Sequence, residues 1–215
     1  DALASPFLRG FTLTGGSGTA WKDMRSGGGV FVVDATAGLE DCILAGNRAA
    51  LGAGVFSDGG TVTLLGCTLR DNSAGTKYRL QDGHGGAVYA RGGAVGLNQT
   101  VVLSNKAGRG AGLYLDGARL DAVKSKVLAN VTEVRDLHGH PGEGGGLYAH
   151  GASELELRGV EFGQNMAFGQ DAKGGAVRLV GGRAVFDQCS FSTNVARDYR
   201  AVQSVTGWGG GIAAD

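Results

Sequence analysis

The chain has 215 residues, and its 20 Lys+Arg balance 20 Asp+Glu, so no overall field draws it to nucleic acid or an anionic membrane. Its 42 glycines and 2 prolines follow no Gly-X-Y period, which excludes collagen, and 42% hydrophobic residues exclude disorder. No apolar run reaches the length of a membrane helix and no cleavable signal is visible.

Asp1 opens without an initiator Met, and Gly211-Ile212 begins a further unit near the end, so residues 1–215 read as one domain cut from a longer chain. In chain order, Phe11-Thr12-Leu13-Thr14-Gly15-Gly16 reads as an early turn, with Gly16 where later units hold Asn. Regular repeats follow from about residue 27. Each opens on a small-residue/Gly step and an aliphatic: Val30, Val55, Val88, Leu113, Leu147 and Val177. An asparagine lies seventeen positions downstream in five units (Val30 to Asn47 is one) and eighteen in the other, giving Asn47, Asn72, Asn105, Asn130, Asn165 and Asn194. Only the return to the next aliphatic varies in length. A constant body with variable returns marks units that bury a core only by stacking.

Three stretches per unit alternate apolar and polar residues, as strands with one inward face do. In the second unit the inward residues are Val55/Ser57, Val62/Leu64 and Cys67/Leu69. The predicted fold is therefore all-β, a right-handed parallel β-helix with three strands per coil and about seven coils. At about 4.8 Å per coil it forms a rod roughly 30–35 Å long.

The asparagines read as a structural ladder, because a side-chain amide has donors and an acceptor to bond along the rod and to backbone at a bend, and Asn tolerates left-handed backbone. Asn130-Val131-Thr132 is a glycosylation sequon whose Asn belongs to that ladder; Asn98-Gln99-Thr100 lies off it and is the better acceptor. Cys42, Cys67 and Cys189 share one inward slot with Thr100 and Ser125, which suits small core thiols. No CxxC, zinc-spaced Cys/His cluster or calcium repeat is present, so no metal and no cofactor is predicted.

Gly85-Gly86-Ala87-Val88 and Gly174-Gly175-Ala176-Val177 pair with Phe162-Gly163-Gln164-Asn165 and Phe191-Ser192-Thr193-Asn194. These resemble the GGA(I/L/V) and FxxN repeats of chlamydial polymorphic outer membrane proteins, with degenerate copies over about residues 27–215. In the Asn half, Leu44, Leu69, Val102 and Val127 replace Phe. The resemblance implies a right-handed β-helix on a cell surface, with a role in adhesion or surface architecture. It transfers no binding residue, since those motifs are structural.

Outward positions of the first strand carry candidate chemistry. Phe31, Phe56, Tyr89, Tyr114 and Tyr148 share one slot, and Val33, Asp58, Arg91, Asp116 and His150 share the next on that face. Five rings at strand spacing predict an exposed platform for a protein partner or sugar rings; the alternative is that they stack on one another under the preceding loops. The long returns hold Trp21–Arg25, Lys77-Tyr78-Arg79 with His84, Glu133 through His140, and Asp198-Tyr199-Arg200 with Trp208, residue types suited to recognition.

Asp58 and Asp116, two coils apart at roughly 9–10 Å, with His84 in a Gly-His-Gly element, give a weaker polysaccharide-cleaving alternative. Arg91 between the two carboxylates makes an ordinary −/+/− ladder an equal explanation. The predicted function is a non-catalytic, extracellular or cell-surface adhesive module, outer-membrane anchored or secreted. Its partner is a protein, a glycan or a second copy, engaged along the stripe, the long loops or open solenoid ends, with no nucleic acid and no direct membrane insertion. The rivals are a carbohydrate-active β-helix and a subunit of an extracellular filament.

Overall fold

The computed structural model describes residues 7–75, 83–133, 142–198 and 209–215. Among them every regular element is a strand. One repeat illustrates the path: Val55–Asp58, Thr61–Leu65, Thr68–Arg70 and Ser73–Ala74 follow one another, and each pairs in parallel with its counterparts in adjacent repeats. Four parallel sheets of 7, 7, 7 and 6 strands result. The chain is all-β with parallel sheets stacked in register, the arrangement of a β-helix or solenoid.

Register is uniform. Val30 lies beside Val55, then Val88, Leu113, Leu147, Val177 and Ile212. Thr12–Thr14 pairs with Ile43–Ala45, so the early turn joins the stack, and Phe7–Arg9 extends the second sheet. The inward aliphatics of three strands meet in one core: Val62, Leu64, Leu69, Val95, Leu97 and Leu120 are all buried. Each such side chain contributes about 1.5–3 kcal/mol of burial.

Three strand positions per repeat were predicted; a fourth, such as Ser73–Ala74, follows each ladder Asn. It presents one inward residue per repeat: Ala49, Ala74, Ala107, Thr132, Ala167 and Ala196. One small residue makes no alternation, so periodicity misses it.

The bends carry the left-handed backbone. Before each ladder Asn stand Gly46 (φ 65°), Asp71 (57°), Ser104 (56°), Ala129 (52°), Gln164 (57°) and Thr193 (52°). The Asn therefore follows the left-handed residue rather than adopting that conformation itself, which corrects one part of the ladder's rationale. Five of these six positions carry a side chain, so the bend admits one. Gly85 differs: at φ 67° a Cβ would press into the Val88 carbonyl, so only glycine fits that step.

The return before the first regular repeat forms an antiparallel hairpin, Thr19–Trp21 against Met24–Ser26. Its two turn residues, Lys22 (φ 45°) and Asp23 (67°), both take positive φ, as a type I′ turn requires. Most of the length of the other long returns lies outside the described residues, including Lys77-Tyr78-Arg79, His138, His140, Tyr199, Arg200 and Trp208.

Candidate functional site

In-register parallel strands place equivalent side chains directly above one another, so any residue type repeated in one slot becomes a column. Two columns matter here, one amide and one aromatic.

The amide column is the predicted ladder. Asn72 Nδ2 donates to Leu44 O (2.9 Å) and to Asn105 Oδ1 (3.0 Å), and the Asn72 N–H donates to that same oxygen (3.0 Å). The pattern repeats from Asn47 to Asn194. The Gly16 N–H donates to Asn47 Oδ1 (2.9 Å), so the residue in the Asn position of the early turn holds its rung through backbone alone. Each interior amide is both two-fold donor and two-fold acceptor, at zero exposure from Asn47 to Asn165. A buried amide with every site matched fixes register strongly, because a slip of one residue orphans several groups together.

The cysteine slot forms a lesser column. Cys67 Sγ contacts Leu39 O (3.5 Å), and in the next repeat Thr100 Oγ1 donates to Leu64 O (3.0 Å), so thiol and hydroxyl play one role. The three cysteines are free, and burial raises the Cys67 thiol above its ordinary range.

The aromatic column stacks Phe31 on Phe56 (5.3 Å between centroids), Phe56 on Tyr89 (5.3 Å), Tyr89 on Tyr114 (5.1 Å) and Tyr114 on Tyr148 (5.1 Å). The rings lie within 16° of parallel. The predicted open platform is corrected: Phe56 is 1% exposed, and Tyr89, Tyr114 and Tyr148 are 6–8% exposed. The residues just before each glycine step cover the rings. Ser26, Leu51, His84, Arg109, Glu143 and Lys173 bridge in parallel as a column of their own. Leu51 packs on the rings, His84 stacks on Tyr114 (4.6 Å), and Trp21 meets Phe31 edge-on (5.6 Å). Stacked rings left in water would expose apolar area without return, and Trp21, Leu51 and His84 take part of that area out of solvent.

Beside the rings runs the polar column. Arg91 donates to both oxygens of Asp58, through Nε (2.9 Å) and Nη2, while Lys22 (3.3 Å) and Trp21 Nε1 (3.4 Å) reach the same carboxylate. The Arg91 hydrogen bond, with Lys22 adding, holds the Asp58 carboxyl below the usual carboxylate range. An acid that stays ionised does not protonate a leaving group. His150 Nε2 lies 3.0 Å from the Tyr114 hydroxyl and 3.5 Å from Asp116 Oδ1, joining three members of the two columns.

His84 stands apart from both carboxylates in its resolved contacts, against Tyr114 and beside Arg109. Burial pushes its imidazole down to about 4, with Arg109 and His150 adding to the effect. The weak catalytic set of Asp58, Asp116 and His84 is thus divided between an ion pair, an imidazole contact and the ring cover.

Arg178 is a member of this stripe that alternation and composition do not mark. It occupies the slot after Tyr148, 3% exposed, and pairs with Glu143 (3.5 Å) and with Asp215. The hydrogen bond that it donates to the Asp215 carboxylate raises its guanidinium pKa. Glu143 also binds Arg109 (3.1 Å), so the stripe ends in a charge network. The register from Val177 gave the signal: its next residue had to stack under Tyr148.

Among the described residues no group of three or more His, Cys, Asp or Glu could hold a metal ion, and no helix is long and apolar enough to cross a membrane. No protein-family model matches the chain, and no curated protein matches it in sequence.

Proposed function

We propose that this chain is a rigid structural or adhesive module displayed outside the cell, a right-handed parallel β-helix of about seven coils with three principal strands in each. The saturated amide ladder carries the reading: the Asn of every repeat is committed to internal bonds that hold the stack in register. Its Gly-Gly and Asn motifs perform the scaffold roles that the resemblance to chlamydial polymorphic outer membrane proteins implies. Because the stripe is covered, contact with a protein partner falls to the hairpin tip at Lys22–Met24 and to outward sheet faces, where Ile43, Val123 and Val185 are exposed. The stacked rings act as a second internal ladder.

A carbohydrate-active reading has one observation in its favour, the His150 imidazole between Tyr114 and Asp116 on the outer side of the first sheet. Antibody labelling and protease shaving of intact source cells, with binding of purified chain to cells and to a glycan array, test the primary reading. A chain found only inside the cell overturns it. Release of reducing ends or unsaturated sugars from a polysaccharide panel, lost in His150→Ala, replaces it with the second reading. Mass photometry reports whether the purified chain assembles with itself, as a filament subunit would.

A further inference from the structure

We propose that Asn98 is the N-glycan acceptor of this chain and that it must be modified before its own coil closes; this rests on the extracellular placement argued above. Asn98 and Asn130 begin the two Asn-X-Ser/Thr triplets of the sequence. Their side chains have opposite fates. Asn98 ends the strand Ala94–Asn98 in an outward position, paired between Leu65 and Val123, and is exposed. Asn130 is fully buried, and both protons of its Nδ2 are in use, toward Val102 O (3.0 Å) and Asn165 Oδ1 (3.0 Å).

The transfer joins Asn Nδ2 to C1 of the sugar. The C1–O bond to a polyprenyl pyrophosphate donor breaks, the pyrophosphate leaves with that electron pair, and Nδ2 gives up one proton to a base of the transferase. At Asn130 the product has a single N–H for two acceptors and a bulky group in a closed column, so a glycan there and the ladder exclude each other. At Asn98 the product projects into solvent over the second sheet, next to Leu65 and the exposed Val123. The ladder geometry therefore gives the physical reason for preferring Asn98 over Asn130.

The third residue of the triplet sets the timing. Thr100 is fully buried; its Oγ1 shares one proton between Leu64 O (3.0 Å) and Asn98 O (3.1 Å) and accepts from the Cys67 N–H (3.4 Å). A transferase that reads the triplet through this hydroxyl has no access to it once the repeat has stacked. Gln99 between them is fixed at φ 50°, and its N–H donates to Val123 O (3.0 Å).

The test has two arms, both independent of where the chain resides in its source. In the first, the chain is secreted from an N-glycosylating host and its glycopeptides are mapped. Glycan on Asn98, abolished by Asn98→Gln with unchanged secretion, is the expected result; an unoccupied Asn98, or glycan on Asn130 in the folded soluble fraction, overturns the assignment. In the second, folded chain from a host without a transferase is incubated with solubilised oligosaccharyltransferase and the pyrophosphate donor, beside a peptide spanning residues 94–104. At least ten-fold slower modification of the folded chain supports the timing, and equal rates refute it. Failure of the extracellular reading would show separately, in the shaving of source cells.

Discussion

Replacing Asn105 with alanine puts the amide ladder to its sharpest test. The substitution removes the donor to Leu69 O and the acceptor for both the Asn72 N–H and Asn72 Nδ2, and it takes one of two donors from Asn130 Oδ1. The Asn72 N–H, one of the two Asn72 Nδ2 protons and Leu69 O each lose this partner, at about 1–3 kcal/mol apiece. Allowing for relaxation, Asn105→Ala should destabilise the chain by roughly 3–6 kcal/mol, a large part of an ordinary domain's margin of about 5–15 kcal/mol.

Asn194 supplies the internal control. It donates to Phe162 O (2.9 Å) and accepts from Asn165, but it is only half-buried, so water can replace part of what is lost. Asn194→Ala should cost about 1–2 kcal/mol. Urea unfolding followed by far-UV circular dichroism and by tyrosine fluorescence measures both, and a cycle with Asn72→Ala should show coupling of about 1 kcal/mol or more between neighbouring rungs. If Asn105→Ala costs under about 1 kcal/mol, or no more than Asn194→Ala, the ladder does not hold the stack together.

Removing a buried ring makes Tyr114→Ala or Phe56→Ala cost about 3–5 kcal/mol in the same unfolding assay; a loss below about 1 kcal/mol would mean the stripe is open to solvent. Gly85→Ala should cost upward of about 2 kcal/mol through its positive φ and the Val88 carbonyl, whereas Gly92→Asn, with no heavy atom nearer than 4.0 Å, should stay within about 1 kcal/mol. Equal costs at the two glycines would remove the packing reason for the Gly step. The His84 imidazole is depressed to about 4 in the folded chain, against about 6.5 unfolded, so the unfolded state takes up the proton first. Its contribution is intact above pH ~6.5 and falls away toward pH ~4, by roughly 3 kcal/mol in all. His84→Gln should flatten that part of the stability profile relative to the parent chain, and an unchanged slope between pH 7 and 4.5 would show that His84 is not enclosed.

Much of this architecture is legible in the sequence because stacking imposes strict demands on a few positions. An inward slot in a long parallel stack admits only aliphatic or small residues, so Val55, Val62 and Leu69 announce their strands, and the Asn column shows its constant offset. The parts that escaped are those where backbone does the work or chemistry varies. The left-handed bends before the ladder accept Gly, Asp, Ser, Ala, Gln or Thr, so no residue type marks them. The cover over the rings draws on Leu51, His84, Arg109, Glu143 and Lys173, which share a place in the register and no common chemistry.

That difference bears on how an outward aromatic column should be read in any stacked repeat. Five rings in one slot looked like a platform because alternation alone points them outward. Alternation, however, reports the face of a strand and not what lies beyond it. Here the column just before each glycine step is in register as well, and His84 from one repeat stacks on Tyr114 of the next. Two columns with one period meet along their whole length, so the rings are covered wherever that second column carries a side chain able to reach them. Trp21 and Leu51 do so with apolar surface and His84 with a stacked imidazole. Past Tyr148 the ring gives way to Arg178, and Glu143, from the pre-glycine position of the preceding repeat, lies in ion-pair reach of the guanidinium. His84 on the Tyr114 ring and Glu143 beside the Arg178 guanidinium are both complementary pairs between the two columns. Substituting Arg178→Tyr together with Glu143→Leu should therefore preserve stability to within about 1–2 kcal/mol, while Arg178→Tyr alone leaves the carboxylate of Glu143 with Arg109 only and should cost more. A double variant less stable than the single one would refute the pairing.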